Sequence, residues 1–183
     1  VTKILTYSGV VFDLLVPKAE DVRLDDLLIP MSGQIRFNGH TERWINLLEH
    51  SKLVFDLVGY RAKPYALLHD AHEPYVGDIT TPVQRALSIL SSGEMDLALG
   101  SLKDRIDVRV FEAFGLPYPS PDVTIEVRDA DRMALSIERQ TFRDPGPAEI
   151  WEGLPDPLSL PLPIINRAQF EALLRTWCPK VPA

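Results

Sequence analysis

Proline placement constrains this chain more than any other feature. There are 16 prolines in 183 residues. A proline lacks the backbone N–H, clashes with the preceding helical turn and pushes the residue before it out of the helical region. Pro17 therefore closes the N-terminal segment. Pro30 limits or kinks the helix that residues 24–29 otherwise favour, and Pro74 ends a later one. Pro82 falls in the first turn of the next helix, where its missing donor costs nothing. Pro117, Pro119 and Pro121 make a stiff connection. Pro145, Pro147, Pro155, Pro157, Pro161 and Pro163 crowd residues 144–163, which cannot form a regular ladder and are expected to wrap the surface as a loop.

Between these breaks the apolar pattern is mostly helical. Residues 3–7 and 10–14 are β-prone about Ser8-Gly9 and read as a small hairpin. Residues 32–43 read as a loop around Arg36 and Phe37. Leu47, Leu48, Val54, Phe55 and Val58 recur at helical spacing over 44–58, with Gly59 as the stop. Residues 63–72 form a second helix with Tyr65, Ala66, Leu67 and Leu68 inward. Thr80 or Thr81 caps a helix that runs to about Leu90, and a longer one spans 94–114, weakened by Gly100. Residues 124–142 form another, with Ile125, Met133, Leu135 and Ile137 inward. Residues 166–177 form the last, with Phe170, Leu173, Leu174 and Trp177 inward. The pattern predicts an all-α bundle with a small N-terminal β-hairpin, as one domain over 1–183: hairpin 1–16, Pro-rich loop 144–163 and C-terminal helix 165–178.

The net charge of −7 is spread evenly along the chain. Without a basic stripe, binding to a nucleic-acid polymer is not expected. The single cysteine, Cys178, excludes an internal disulfide and a thiolate zinc cluster. No apolar run is long enough to span a bilayer, so no membrane partner is expected and a reducing, cytoplasmic setting fits best.

Chemistry concentrates in residues 67–78, Leu-Leu-His-Asp-Ala-His-Glu-Pro-Tyr-Val-Gly-Asp. An imidazole beside a carboxylate, His69-Asp70, is half of a divalent-metal site. Glu73 and Asp78 follow closely and can handle protons. His50, on the preceding helix, can face the pair. An acid from a later helix would complete an N/O donor set, and Asp129 and Asp131 are the candidates; two apart on a helix, they point different ways.

This ordered set resembles the HD-domain metal-dependent phosphohydrolases. His69 to Asp78 fits His-Asp-Ala-x-Glu-x-x-x-Gly-Asp, similar to the branch of 5′-deoxynucleotidases and phage deoxynucleotide triphosphohydrolases. Glu49-His50-Ser51, the Arg36-Phe37-Asn38-Gly39-His40-Thr41 stretch, the Tyr-Ser-Gly-Val-Val-Phe-Asp-Leu hairpin and Arg128-Asp129-Ala130-Asp131 resemble the same branch. The resemblance covers roughly residues 4–143. It implies an HD-type helical fold and one divalent ion (manganese, cobalt, zinc, iron or magnesium) held by His50, His69, Asp70 and Asp131. It further implies Glu73 as general acid/base, Asp78 orienting the attacking water, and Arg36 meeting phosphate. The substrate implied is a small-molecule deoxynucleotide, either a monophosphate losing orthophosphate or a triphosphate such as dATP losing tripolyphosphate; the enzyme would be a homo-oligomer. Relatives often carry Pro-x-Lys after the Gly-Asp, where this chain has Pro82-Val83-Gln84, so Arg85 or Arg36 would supply that charge.

Other residues have two readings. Phe37 and Trp44 can stack a base, although aromatics at such spacing are more often core. His40 can touch substrate from its loop. His72 is a donor near the site or a partly exposed histidine. Arg132 makes a salt bridge or meets phosphate, and Asp129 is a solvated helix acid. A metal-stabilised nucleotide-binding module without catalysis is the alternative function. A cyclic-dinucleotide phosphodiesterase is disfavoured, because no added histidine cluster marks a second metal.

Overall fold

The computed structural model describes residues 2–183. Strands β1 (Lys3–Leu5) and β2 (Val11–Asp13) pair antiparallel, with Ile4 opposite Phe12. The rest is predominantly helical: α1 (Leu24–Gly33), α2 (Leu47–Leu57), α3 (Lys63–Leu68), α4 (Glu73–Val76), α5 (Thr81–Leu90), α6 (Glu94–Ala113), α7 (Pro121–Glu138) and α8 (Arg167–Trp177). The all-α class with an N-terminal hairpin is thus present. Among the described residues no helix is long and apolar enough to cross a membrane.

The core forms where apolar stripes meet. Helix α2 packs most extensively on α3 and α7. Leu47, Leu48, Leu53 and Val54 of α2, Ala66, Leu67 and Leu68 of α3, and Ala134 and Ile137 of α7 are buried there, with Phe170 and Leu174 of α8. Both α2 and α8 open with a capping box: Asn46 accepts from Glu49 N while Glu49 accepts from Asn46 N, and Asn166 and Gln169 repeat the exchange. These contacts fix each entering turn. The hairpin is tied to the body at two points. Asp26 of α1 accepts from the Ser8 N–H and hydroxyl at 2.7 and 2.8 Å, and buried Phe12 stacks on Tyr75 of α4 at 4.0 Å.

Several expectations change. Helix α1 runs three residues past Pro30 to Gly33, because only one backbone donor is lost there and the last turn closes through Gln34 N–H to Pro30 O at 2.8 Å. The helix expected over 44–58 starts only at Leu47, after the Asn46 cap. The segment 63–72 is broken: α3 ends at Leu68, a turn carries residues 69–72, and α4 begins at Glu73. Pro74 starts that turn of helix instead of ending one, since the first turn needs no proline N–H. Helix α7 starts earlier, at Pro121, and stops at Glu138. Ile125 points outward at 48% exposure, and Trp44 is 67% exposed, not core. Residues 144–163 are irregular apart from a 3-10 turn at Ala148–Trp151, and the segment is stitched down by Arg132 to Gly153 O, Ser136 Oγ to Pro155 O (2.6 Å) and Arg43 Nη2 to Pro163 O (2.8 Å).

Candidate metal centre

His50 lies on the core side of α2 and is fully buried. His69 and Asp70 begin the turn after α3, held by Ala71 N–H to Leu68 O and Glu73 N–H to Asp70 O. Asp131 comes from the middle of α7. Gly77, at φ +85°, ends α4 and turns the chain toward Asp78; a side chain there would strain this left-handed backbone.

The four donors converge. His50 Nε2 lies 3.2 Å from His69 Nε2, 3.1 Å from Asp131 Oδ1 and 3.5 Å from Asp70 Oδ2. His69 Nε2 lies 3.1 Å from Asp70 Oδ2 and 3.9 Å from Asp131 Oδ1. Donors bound at about 2.1 Å to one cation sit roughly 3.0 to 3.4 Å apart in octahedral or tetrahedral order; the His50–His69, His50–Asp131 and His69–Asp70 separations match that range, and the 3.5 and 3.9 Å pairs are wider.

The hydrogen bonds behind the rings sharpen the point. The Nδ1–H of His69 donates to Ala66 O at 2.9 Å, and that of His50 donates to Glu138 Oε1 at 2.8 Å. With both Nδ1 atoms protonated, two neutral rings would point Nε2 lone pairs at each other. A cation, metal or proton, must relieve that repulsion. Without a metal ion the proton on His50 serves: burial and Arg36 lower its pKa, but Glu138 and Asp131 raise it to about 10. Asp70 is partly buried yet held well below the usual carboxylate range by His69 and His50.

Arg36 sits in a tight turn whose next two residues, Phe37 and Asn38, have φ of 55° and 52°. Its Nε donates to Glu138 at 3.0 Å and its Nη1 lies 4.0 Å from Asp70. Its remaining N–H groups border the cluster. Glu73 is buried, and burial with the Asp70 and Asp78 charges pushes its carboxyl up to about 9. Burial also raises Asp78. Gln34 Nε2 donates to Glu73 O at 2.9 Å and secures α4.

The other sequence candidates fall outside this cluster. Phe37 packs edge-on against Phe142 at 5.1 Å. His40 is exposed, as is Arg85 on α5. Arg132 has no acid partner among the described residues; it donates to Gly153 O. Asp129 is exposed beside Arg128 (3.8 Å), as expected. His72 is not partly exposed: it is buried, with Nδ1 3.0 Å from Asp107 Oδ1. Glu138 and Asp107 were missed. Glu138 lies two helical turns after Asp131, hence on the same face of α7, and that spacing was the available signal; Asp107 had none.

A cavity of about 260 Å³ opens beside His69 and Asp131, lined also by Tyr65, Phe111, Tyr118 and Asp107. A larger, open groove of about 720 Å³ runs between residues 15–17 and α6 and touches none of the four converging donors.

No family model matches the chain. The uncharacterized protein YfdR of Escherichia coli (strain K12) is 31% identical over 137 residues, 75% of this chain and 70% of that protein. The chain belongs to the YfdR family. An uncharacterized protein of Rhodobacter capsulatus is 32% identical over 164 residues, 82% of this chain and 79% of its own length.

Proposed function

We propose that the protein is a metal-dependent phosphohydrolase of deoxynucleotides with an HD-type fold. The observation that carries this reading is the convergence of His50, His69, Asp70 and Asp131 from three parts of the chain, with each histidine Nε2 lying 3.1 to 3.9 Å from the other and from both carboxylates. A divalent cation held there supplies activation of water and charge neutralisation at phosphorus.

The protein groups supply the rest. Arg36, kept in place by Glu138, directs its free N–H groups at phosphate oxygens as a planar fork. Asp78 and Glu73 are the carboxyl groups available for proton transfer, one accepting from the attacking water and one donating to the leaving oxygen. The cavity beside His69 and Asp131 offers Tyr65, Phe111 and Tyr118 to a nucleoside, with Asp107 as a polar neighbour. Its position favours those aromatics over Phe37 for base contact. Both products stay within the reading: orthophosphate from a monophosphate, or tripolyphosphate from a triphosphate such as dATP. The same reading takes the enzyme as cytoplasmic and a homo-oligomer, supported by the outward Ile89 and Leu90 of α5 and Leu97 of α6, each about four-fifths exposed.

The test is a deoxynucleotide panel with Mn²⁺, Co²⁺ or Zn²⁺, with the phosphate products resolved. The parent should release one product class and His69→Gln none. Equal turnover by both proteins, or none by the parent with any ion, overturns the proposal.

A further inference from the structure

Three histidines, not two, are prepared for a cation. His50 and His69 each commit Nδ1 to a fixed acceptor and turn Nε2 inward. His72 does the same: the Asp107 carboxylate accepts from its Nδ1, at 3.0 and 3.2 Å from the two oxygens. A carboxylate behind an imidazole fixes the tautomer and ring plane and makes the other nitrogen a better donor. The Nε2 of His72 is that donor, and it is buried with no hydrogen-bond partner among the described residues. His72 as a whole is only 6% exposed.

A second unpartnered atom lies in the same place. Glu73 Oε2 is buried without a partner, in a side chain 7% exposed. An orphaned buried nitrogen and an orphaned buried oxygen each carry a desolvation cost of about 1–3 kcal/mol unless something fills the space between them. One donor atom each from Asp70, His72 and Glu73 lie within 4.8 Å of one another. Asp70 is already the partner of the first group through Oδ2, and a carboxylate has a second oxygen to give.

The geometry points to a second divalent-cation site formed by Asp70, His72 and Glu73, beside the first and joined to it by the Asp70 carboxylate. The charge around it agrees. Asp70, Asp78, Asp131 and Glu138 lie around the single guanidinium of Arg36, with Asp107 behind His72, an acidic excess larger than one divalent ion offsets. Paired cations sharing a carboxylate, about 3.5–4 Å apart, suit hydrolytic chemistry at phosphorus. This inference rests on the first site through Asp70, and it makes Glu73 a ligand, leaving proton transfer to Asp78. It needs only one further histidine, His72, and no added histidine cluster.

The test is Mn²⁺ binding by equilibrium dialysis on the full chain, with electron paramagnetic resonance of the loaded protein. The parent should bind a second Mn²⁺ per chain and show the exchange-coupled spectrum of a close pair. His72→Gln and, separately, Glu73→Gln should each lose the second ion and give an uncoupled signal while keeping the first. Circular dichroism checks folding, and if one variant fails to fold the other decides. A parent that saturates at a single uncoupled ion overturns the second site alone. Binding of no Mn²⁺ overturns this inference and the first site together. Retention of the coupled pair by the folded variants overturns the ligand assignment.

Discussion

Glu138 offers a sharp test of how the centre is held. Its carboxylate is fully buried and accepts from His50 Nδ1 at 2.8 Å and Arg36 Nε at 3.0 Å. Glu138→Gln keeps the shape but replaces one accepting oxygen with an NH₂ group. One of the two donors then faces a donor, and the negative charge that orients His50 is gone. Loss of such a partner behind a metal-binding histidine costs about 10–100-fold in metal affinity, or about 1.4–2.7 kcal/mol. Mn²⁺ titration of the folded variant measures this directly. Glu138→Leu should be worse in another way, because the Arg36 guanidinium loses its close partner and keeps only Asp70, at 4.0 Å. A stability loss of about 3–5 kcal/mol is expected in urea denaturation. If Glu138→Gln binds Mn²⁺ as tightly as the parent, the idea that Glu138 sets the His50 ring for a cation is wrong.

Three further outcomes are expected. Asp131→Asn should abolish tight Mn²⁺ binding and any phosphate release, whereas Asp129→Asn, on the exposed side of α7, should match the parent in both assays. Asn46→Ala removes the cap of α2 and should cost about 1 kcal/mol, seen as a fall in Tm of roughly 2–4 °C for a chain of this size. Burial pushes the Cys178 thiol up to about 12, above the free-thiol value of about 8.5; the thiol should resist maleimide at pH 8 in the folded protein and react readily in denaturant. Because its folded pKa is raised, the stability it contributes is present below about pH 8.5 and lost as pH rises toward 12; rapid native labelling at pH 8 would contradict this.

How much of this was legible in the sequence depends on the range of the interaction. The helical stripes of α2, α6 and α8 are local patterns, and their apolar spacing sufficed. The meeting of His50, His69, Asp70 and Asp131 was legible as well, because His69-Asp70 are adjacent and His50 and Asp131 each lie on a readable helix. The break between α3 and α4 was misread because Pro74 is equally at home ending one helix or opening another. Ile125, expected on the inner face of its helix, and Trp44, for which core was the commoner of two readings, both face solvent. Asp107 could not be foreseen, since its role comes from His72, 35 residues earlier. The burial of His72 follows from that same pairing.

The bonds that fasten residues 144–163 all end on backbone carbonyls: those of Gly153, Pro155 and Pro163. Every amino acid brings a carbonyl, so these attachments demand nothing of the strap's own side chains. The obligation falls on Arg43, Arg132 and Ser136 at the anchoring end. Homologous straps are thus free to drift in wording, except at Trp151, which packs on Phe142, and Leu162, which packs against the core, while following the same path across α7.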